Sequence, residues 1–461
     1  MRTIVCILLV LITHLDTQAQ SVLRRSNSSG GSTAPAKTII PGAMTFDNNN
    51  AAPLHRALKA VTDLMVHDIF SPPVASRIYL YTNVAAYEVL ANAYPQQYSS
   101  LHGQVTGFPL IPPPVTRVSP SLASVYALLL VSKKLVFSEP VMEDSIRQIL
   151  QWYKDNKISS TVYDASLQYG HQVSDSIISW ADKDQYKETR KLRRYRFMKQ
   201  DGKWIPTPPS YMAAVEPYWN RIRPVVMDSS SQFRQPLPTA FSKDSSSQFY
   251  REALDVYKTV NNLTEEQKAM ANFWDCNPFA VTTEGHLNYA TKKISPGGHW
   301  MSIVEIIARQ KNLPIMDAAA VYTITSIAIF DAIISCWDEK YRSNVIRPET
   351  YIDANINEGW RPLLQTPPFP EYTSGHSMIS AAAAEVLTAV MGDSFAFDDS
   401  SEIEFGLPVR HFASFKAASE EAAISRLYGG IHYRPAIANG LIAGRQIGDR
   451  VLATIKLKRK G

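Results

Sequence analysis

Apolar residues recur at three- and four-residue steps along most of the chain. An early example is the series Leu54, Leu58, Val61 and Met65, and the same spacing returns in later windows. This period follows one face of an α-helix, whereas strict alternation would indicate half-buried strands. The pattern therefore predicts a mainly α protein.

Two helical segments resemble each other at a constant separation. Residues 75–88 and 318–331 carry small and aromatic residues at corresponding positions, 243 residues apart. The recurrence predicts two related helical bundles, and the alternative is that such residues recur on helices by chance.

Helical periodicity is lost in the middle of the chain. Residues 201–245 are rich in Pro, Ser and aromatic residues, beginning with the stretch from Trp204 to Pro209. This composition predicts an irregular strap between an N-terminal helical half, 45–200, and a C-terminal helical half, 246–461.

The N-terminus has the pattern of an export signal. Arg2 precedes the apolar run 4–12, and the small-residue site Thr17-Gln18-Ala19 follows it. We expect a signal peptide at 1–19, a flexible lead-in at 20–44, and a secreted or periplasmic protein. A membrane anchor is the weaker alternative, because nine apolar residues span too little of a bilayer.

Composition narrows the classes of protein further. Hydrophobic residues make up 45% and charged residues 19%, with a net charge of +5, which is typical of a globular protein and does not point to nucleic acid. Cys6 lies in the apolar run, so the mature chain keeps Cys276 and Cys336 and forms at most one disulfide.

The most apolar later window, 318–337, predicts a buried helix rather than a membrane span. It contains Asp331 and several hydroxyl residues, and acidic residues flank it. We therefore expect no transmembrane span in the mature chain.

Three short blocks in the last third of the chain bring together the residues that an oxyanion site needs. They are Lys340 followed by Arg347-Pro348, then Ser374-Gly375-His376, and then Ser425-Arg426 followed by His432. The two arginines and the lysine can neutralise a phosphate or vanadate, and the free amides at a helix start favour an anion.

Local geometry is expected to bring the blocks to one pocket. We expect Thr373 to cap the helix opened by Ser374 and Gly375. Pro348 is expected to end a long helix that begins near Asp317. Gly429-Gly430 is expected to break the helix of Arg426, which lets His432 face the same centre.

The three blocks resemble a known signature, Lys-x6-Arg-Pro, Pro-Ser-Gly-His and Ser-Arg-x5-His-x3-Asp. It belongs to the superfamily of type 2 phosphatidic acid phosphatases, bacterial non-specific acid phosphatases and vanadium-dependent haloperoxidases. The long helical half that precedes the blocks is similar to the secreted haloperoxidase-type members. The resemblance implies a fold of two helical bundles and a vanadate cofactor.

The resemblance also implies roles for individual residues. His432 would be the axial ligand of vanadium, or the nucleophile on phosphorus in a phosphatase, and His376 the general acid/base. Lys340 would polarise bound peroxide. The residues implied to bind the cofactor are Lys340, Arg347, Ser374, Gly375, Arg426 and His432. Hydrogen peroxide and a halide, bromide or iodide with chloride as a further candidate, would be the substrates.

Two aromatic residues favour the peroxidase branch. Trp337 precedes Lys340 by three residues and Phe369 precedes His376 by seven, as in the fungal chloroperoxidase type. The resemblance implies that they wall the halide pocket, and the alternative is that both are core residues.

The chain departs from the signature at two positions. Thr373 stands in place of Pro, and Ala436 in place of the acid that follows the axial histidine by four residues. Because such an acid orients the imidazole, another group has to replace it, and Asp275 or Asn277 is our candidate.

Two other functions use the same residues. A secreted acid phosphatase would act on phosphate esters through a phosphohistidine at His432, and a non-catalytic protein would only bind anions. The other histidines, including His286 and His299, are expected to be structural, and no ligand spacing typical of zinc or calcium appears.

Overall fold

The structure is a computed structural model that describes residues 47–284, 287–290 and 292–459, without the side chains of residues 282–290. The expected signal peptide, 1–19, the expected lead-in, 20–44, and His286 lie outside the described residues. Within the described ranges, fourteen α-helices, two 3₁₀ turns and two short hairpins form the regular structure. The predicted mainly α fold is confirmed.

The N-terminal half consists of five long helices and one short one. Their bounds are α1 Ala52–His67, α2 Pro72–Ala93, α3 Pro120–Leu135, α4 Glu139–Asp155, α5 Ser160–Ala181 and α6 Tyr186–Thr189. The hydroxyls of Ser71 and Ser119 cap α2 and α3 by accepting backbone N–H groups. Proline follows each cap, at a position where no backbone donor is needed.

The C-terminal half contains eight helices and both hairpins. The helices are α7 Gln248–Asn261, α8 Glu265–Phe273, α9 Pro296–Gln310, α10 Ile315–Ser343, α11 Pro348–Asn355, α12 Gly375–Met391, α13 Phe415–Tyr428 and α14 Arg434–Thr454. Antiparallel pairs join β1 Val281–Glu284 to β2 Leu287–Ala290, and β3 Phe397–Asp399 to β4 Arg410–Phe412.

A buried carboxylate fastens the irregular segment between α6 and α7 to the core. In this segment the one helical element is a 3₁₀ turn, Trp219–Arg221. Asp331 on α10 accepts the backbone N–H groups of Val225, Val226 and Met227 at 2.8, 2.9 and 3.2 Å. Burial raises the pKa of Asp331 to about 6, and these three amides oppose that shift.

The two halves pack together along α2 and α10, the helices that carry the similar segments 75–88 and 318–331. In the C-terminal half α12 packs against α10, α13 and α14. Glycines on α14 permit a close approach, because a Cβ at Gly444 would lie 2.3 Å from the carbonyl oxygen of Met378. The helix that opens with the second motif block is therefore held on three sides.

Among the described residues, α10 is the one helix long and apolar enough to cross a membrane. An 18-residue window of it has a mean hydropathy of 1.7, and all of that window is buried inside the protein. Helix α10 is therefore a buried helix of the core, as predicted for the window 318–337 from its content of Asp331 and hydroxyl residues.

The expectation that Pro348 ends this helix is wrong. Helix α10 ends at Ser343, where Asn344 turns the chain with a φ of 53°. Pro348 instead begins α11, since proline fits the first position of a helix better than its end. Arg347 is consequently the N-cap residue of α11, at the end of a short loop.

Candidate active site

Residues of the second and third motif blocks line one cleft, and Arg347 of the first block lies behind it. Gly375 and His376 line it from the start of α12, and Arg426 and His432 from the end of α13 and the loop that follows it. Arg347 lies directly behind His432, with its Nη1 3.3 Å from the Nε2 of that histidine. Blocks separated by up to 92 positions thus form one site.

Arg347 is held by backbone carbonyls. Its Nε donates to the carbonyl of Phe369 at 2.9 Å and its Nη1 to that of Ile431 at 2.8 Å. Burial lowers the pKa of this guanidinium to about 10. Because Nε and Nη1 of Arg347 already donate to carbonyls, Nη2 is the nitrogen that remains available to an anion.

The imidazole of His432 is oriented by Glu371. Its Nδ1 donates to Glu371 Oε1 at 2.7 Å, and the backbone N–H of Tyr433 donates to the same oxygen at 3.0 Å. The Nε2 lone pair therefore faces Arg347 and the site. Burial and the neighbouring cations hold the pKa of His432 well below its usual range.

Glu371 replaces the acid that the chain lacks at Ala436, and the candidates Asp275 and Asn277 do not. Asp275 pairs with Lys293 at 2.5 Å, and the amide of Asn277 donates to the carbonyl of Gln365 at 3.5 Å. Sequence reasoning missed Glu371, although it stands three residues before Ser374 and is the acid adjacent to the second block.

His376 presents one free ring nitrogen. The imidazole donates to the backbone carbonyl of Trp274 and its Nε2 has no partner among the described residues, so the donor is Nδ1. Burial and the charges of Arg426, His299 and Lys340 hold the pKa of His376 well below its usual range. A neutral imidazole with an unpaired Nε2 suits a general base.

Lys340 is buried on the last turns of α10, and its ammonium group donates to three carbonyls. The Nζ atom lies 3.0 Å from the oxygens of Pro370 and Glu371 and 2.6 Å from that of Thr373. Burial lowers its pKa to about 8. Lys340 therefore fixes the loop that carries Glu371, in addition to supplying positive charge.

Ser374, rather than Thr373, caps α12. The Ser374 hydroxyl accepts the backbone N–H of Ser377 at 3.3 Å and the hydroxyl of Ser377 at 2.8 Å. The expected cap is wrong by one residue, because the helix begins at Gly375 and the carbonyl of Thr373 is taken up by Lys340. The helix still begins at the cleft, with Gly375 in its lining.

Arg426 contributes a second buried guanidinium. Its Nε donates to the hydroxyl of Ser425 at 3.0 Å and its Nη2 to the carbonyl of Ala271 at 3.3 Å. The expected helix break follows, since α13 ends at Tyr428 and Gly430 adopts a φ of 75°. The chain then returns His432 to the cleft.

Trp337 and Phe369 form an aromatic wall of the cleft. Their ring centroids are 5.0 Å apart, and both residues are almost fully buried. The ring of Phe369 also lies 5.1 Å from Lys340 Nζ and 5.1 Å from Arg347 Cζ. Trp337 is anchored by its indole N–H, which donates to the carbonyl of Val215 in the irregular segment at 3.2 Å.

Comparisons with known proteins point to one family. A sequence model described as the VCPO second helical-bundle domain matches residues 320–461. No curated protein matches the chain. The crystal structure of a bacterial vanadium-dependent iodoperoxidase superposes with a TM-score of 0.85 at 46% identity, covering 90% of this chain and 99% of that one.

The chain belongs to the vanadium-dependent haloperoxidase family.

More distant structures share the fold alone. The holo and apo forms of a bacterial vanadium-dependent chloroperoxidase superpose with TM-scores of 0.66 and 0.62 at 17% and 16% identity. Each alignment covers 89% of this chain and 98% of the other. The resemblance inferred from the three motif blocks, and the helical-bundle architecture it implied, are confirmed.

The site of this haloperoxidase-family chain fits a vanadate ion. Two buried atoms, Arg347 Nη2 and His376 Nε2, have no hydrogen-bond partner among the described residues. Unpaired buried polar atoms are costly, and an oxyanion offers oxygens to both. Lys340 and Arg426 add buried positive charge, so a multiply charged anion would relieve the repulsion between these cations.

Proposed function

We propose that this protein is a vanadate-dependent haloperoxidase that oxidises iodide and bromide with hydrogen peroxide, with chloride as a further candidate. The observation that carries the proposal is the His432–Glu371 pair. This pair leaves His432 Nε2 neutral and directed at a cluster of buried cations. A histidine that binds the vanadium atom of vanadate needs such an unprotonated nitrogen.

His432 Nε2 would be the protein ligand of vanadium, and Arg347, Arg426, Ser374 and Gly375 would hold the oxygens. Bound vanadate supplies a Lewis-acid centre at which hydrogen peroxide is activated for oxygen transfer to a halide. Lys340 contributes its charge from behind the site, and to contact an oxygen directly its ammonium group would have to release one of three carbonyls.

His376 would move the proton. Formation of hypohalous acid from a halide ion and hydrogen peroxide consumes one proton and releases water. The unpaired Nε2 of His376 can take a proton from peroxide as it binds and return it to the departing oxygen. Its low pKa keeps the imidazole neutral and ready to accept.

The aromatic wall favours a large, weakly hydrated halide. Trp337 and Phe369 exclude water from one side of the cleft, so an entering halide loses hydration water there, and this loss costs iodide or bromide less free energy than chloride. The similar bacterial protein at 46% identity is an iodoperoxidase, which supports iodide as the first substrate to test.

We further propose that the chain is exported to the periplasm or the medium. The support is the basic start, the apolar run 4–12 and the site after Ala19. Expression of the full chain should yield a mature protein whose N-terminal residue is Gln20. An unprocessed cytoplasmic protein would contradict this proposal.

The decisive experiment compares iodide and bromide oxidation by vanadate-loaded and vanadate-free enzyme. We expect turnover only with vanadate, and its loss in His432→Ala, which cannot ligate vanadium. Hydrolysis of a phosphomonoester by the vanadate-free enzyme is measured alongside. Efficient hydrolysis without vanadate-dependent halide oxidation would replace the peroxidase proposal by a phosphatase acting through His432.

A further inference from the structure

A second cluster of ligand-type side chains lies beside the cleft and is not used by the reaction. Cys276, His299 and Glu402 are buried, and their ligand atoms all lie within 4.8 Å of one another. They come from the segment after α8, from α9 and from the residue that precedes the 3₁₀ turn Ile403–Phe405. Cys276 also lines the cleft itself.

Two of these groups converge on the same nitrogen. His299 Nδ1 lies 3.4 Å from Cys276 Sγ and 3.0 Å from Glu402 Oε1. The contact with Glu402 lacks hydrogen-bond geometry, and this carboxylate oxygen has no hydrogen-bond partner in the part of the chain that the structure describes. Cys276 and Glu402 thus share the single Nδ1 of His299, and the Glu402 oxygen makes an ion-pair contact there without a hydrogen bond.

The opposite nitrogen of His299 is already oriented. Its Nε2 lies 2.8 Å from Asp399 Oδ2 and 2.9 Å from the hydroxyl of Ser401. A histidine that ligates a metal through one nitrogen usually donates its other N–H to a carboxylate. Asp399 therefore orients the ring of His299 so that Nδ1 points toward Cys276 and Glu402, and a bound metal ion would take the place of the proton on that nitrogen.

Two of the ligand spacings, those from His299 Nδ1 to the other two ligand atoms, fit a tetrahedral ion. Bonds of about 2.3 Å to sulfur and about 2.0 Å to nitrogen and oxygen place sulfur and nitrogen about 3.5 Å apart, and nitrogen and oxygen about 3.3 Å apart. The corresponding distances in the protein are 3.4 and 3.0 Å. A thiolate, an imidazole and a carboxylate are the donor set of zinc, and calcium would prefer oxygen alone.

We propose that Cys276, His299 and Glu402 bind a zinc ion, with a water molecule as the fourth ligand. The ion would bind the Glu402 oxygen that has no hydrogen-bond partner, and it would join three segments separated by up to 126 positions.

The zinc ion would stabilise one wall of the vanadate site. The ring of His299 stacks on Trp274 at 4.4 Å, and the carbonyl of Trp274 accepts the proton of His376. The zinc site would thus have a structural role, because it holds Trp274, which in turn positions His376.

The test measures zinc and vanadium together in the purified mature protein by inductively coupled plasma mass spectrometry. We expect about one zinc per chain, independent of vanadate. Cys276→Ser and Glu402→Gln should each lower the zinc content at least about tenfold. Cys336→Ser is the matched control, because it removes the other buried free cysteine and should keep full zinc content.

Cobalt gives a second measurement that does not depend on a variant folding. Replacement of zinc by Co²⁺ in the wild-type protein should produce a thiolate-to-cobalt charge-transfer band, which Cys336→Ser retains and folded Cys276→Ser loses. Wild-type protein from zinc-supplemented cultures that contains no stoichiometric zinc and shows no such band would overturn the proposal. Folded variants of Cys276 and Glu402 that keep their zinc would overturn it as well.

Discussion

Replacing Glu371 with glutamine removes one negative charge from behind His432 and keeps the shape of the side chain. The Tyr433 N–H donates to the same oxygen as His432 Nδ1, so the glutamine carbonyl will occupy that position and the imidazole will keep its orientation. The variant therefore isolates how much the charge strengthens His432 as a ligand.

The expected loss is about tenfold to a hundredfold in vanadate affinity. A hydrogen bond to a charged acceptor contributes about 1.5–3 kcal/mol, against about 0.5–1.5 for a neutral one. The midpoints of these ranges differ by about 1.25 kcal/mol, which is close to a factor of ten. Mutation of a carboxylate that supports a metal-bound histidine lowers metal affinity by up to about a hundredfold. Repulsion between Glu371 and the bound anion opposes this gain.

The effect should depend on pH, because burial raises the pKa of Glu371 to about 7. Above that value wild type carries the charge and the two proteins should differ most. At pH 6 the carboxyl is largely protonated, so the difference should shrink. Equilibrium dialysis with vanadate, at pH 6 and pH 8.5, measures both affinities.

Glu88→Gln is the matched control. Glu88 is also buried and accepts two donors, the N–H of Leu101 and the hydroxyl of Ser100, but it lies on α2 far from the motif blocks in sequence. It should leave vanadate affinity unchanged. Equal or tighter vanadate binding by the Glu371 variant at pH 8.5 would refute the argument, since repulsion would then dominate.

Three further predictions concern single side chains. Arg347→Lys should weaken vanadate binding at least about tenfold in the same dialysis, because a point charge cannot replace a planar group that also holds two carbonyls; unchanged affinity would contradict the assigned role. Phe369→Leu should lower kcat/KM for iodide by about tenfold with vanadium content preserved, since it removes one ring of the aromatic wall that excludes water from the cleft; a parallel loss of vanadium would mean that the ring supports the cofactor through its contacts with Lys340 and Arg347 instead. Burial raises the pKa of Glu88 from 4.5 to about 7, so the folded state holds a proton that the unfolded chain has lost, and stability should fall by up to about 3 kcal/mol between those pH values. Urea denaturation should show a fall in stability over this range that is smaller in Glu88→Gln than in wild type by the contribution of Glu88, because Asp331 and Glu371 also titrate there.

Much of the site could be predicted from the sequence because its chemistry is concentrated in short blocks. Within a block, the spacing of Ser425-Arg426 and His432 is governed by one helix end and one glycine turn. Helical periodicity likewise depends on neighbours three and four residues apart. These are local relations, and the structure reproduces them.

The boundaries of local elements were less predictable. Pro348 begins a helix where we expected an end, and Ser374 is the cap in place of Thr373. In both cases the chemistry was appropriate to a helix terminus, but the choice between adjacent positions was made by contacts from elsewhere, such as the hydrogen bond from Lys340 to the carbonyl of Thr373.

The sequence by itself determined a mainly helical haloperoxidase-type chain, with its cations and both histidines drawn to one oxyanion site. Only the tertiary structure decided which acid supports His432, what Lys340 holds, and that Cys276 meets His299 and Glu402. These contacts join side chains up to 126 positions apart, and no local period records them. They exist because helix packing buries the groups together, where each polar atom must find a partner.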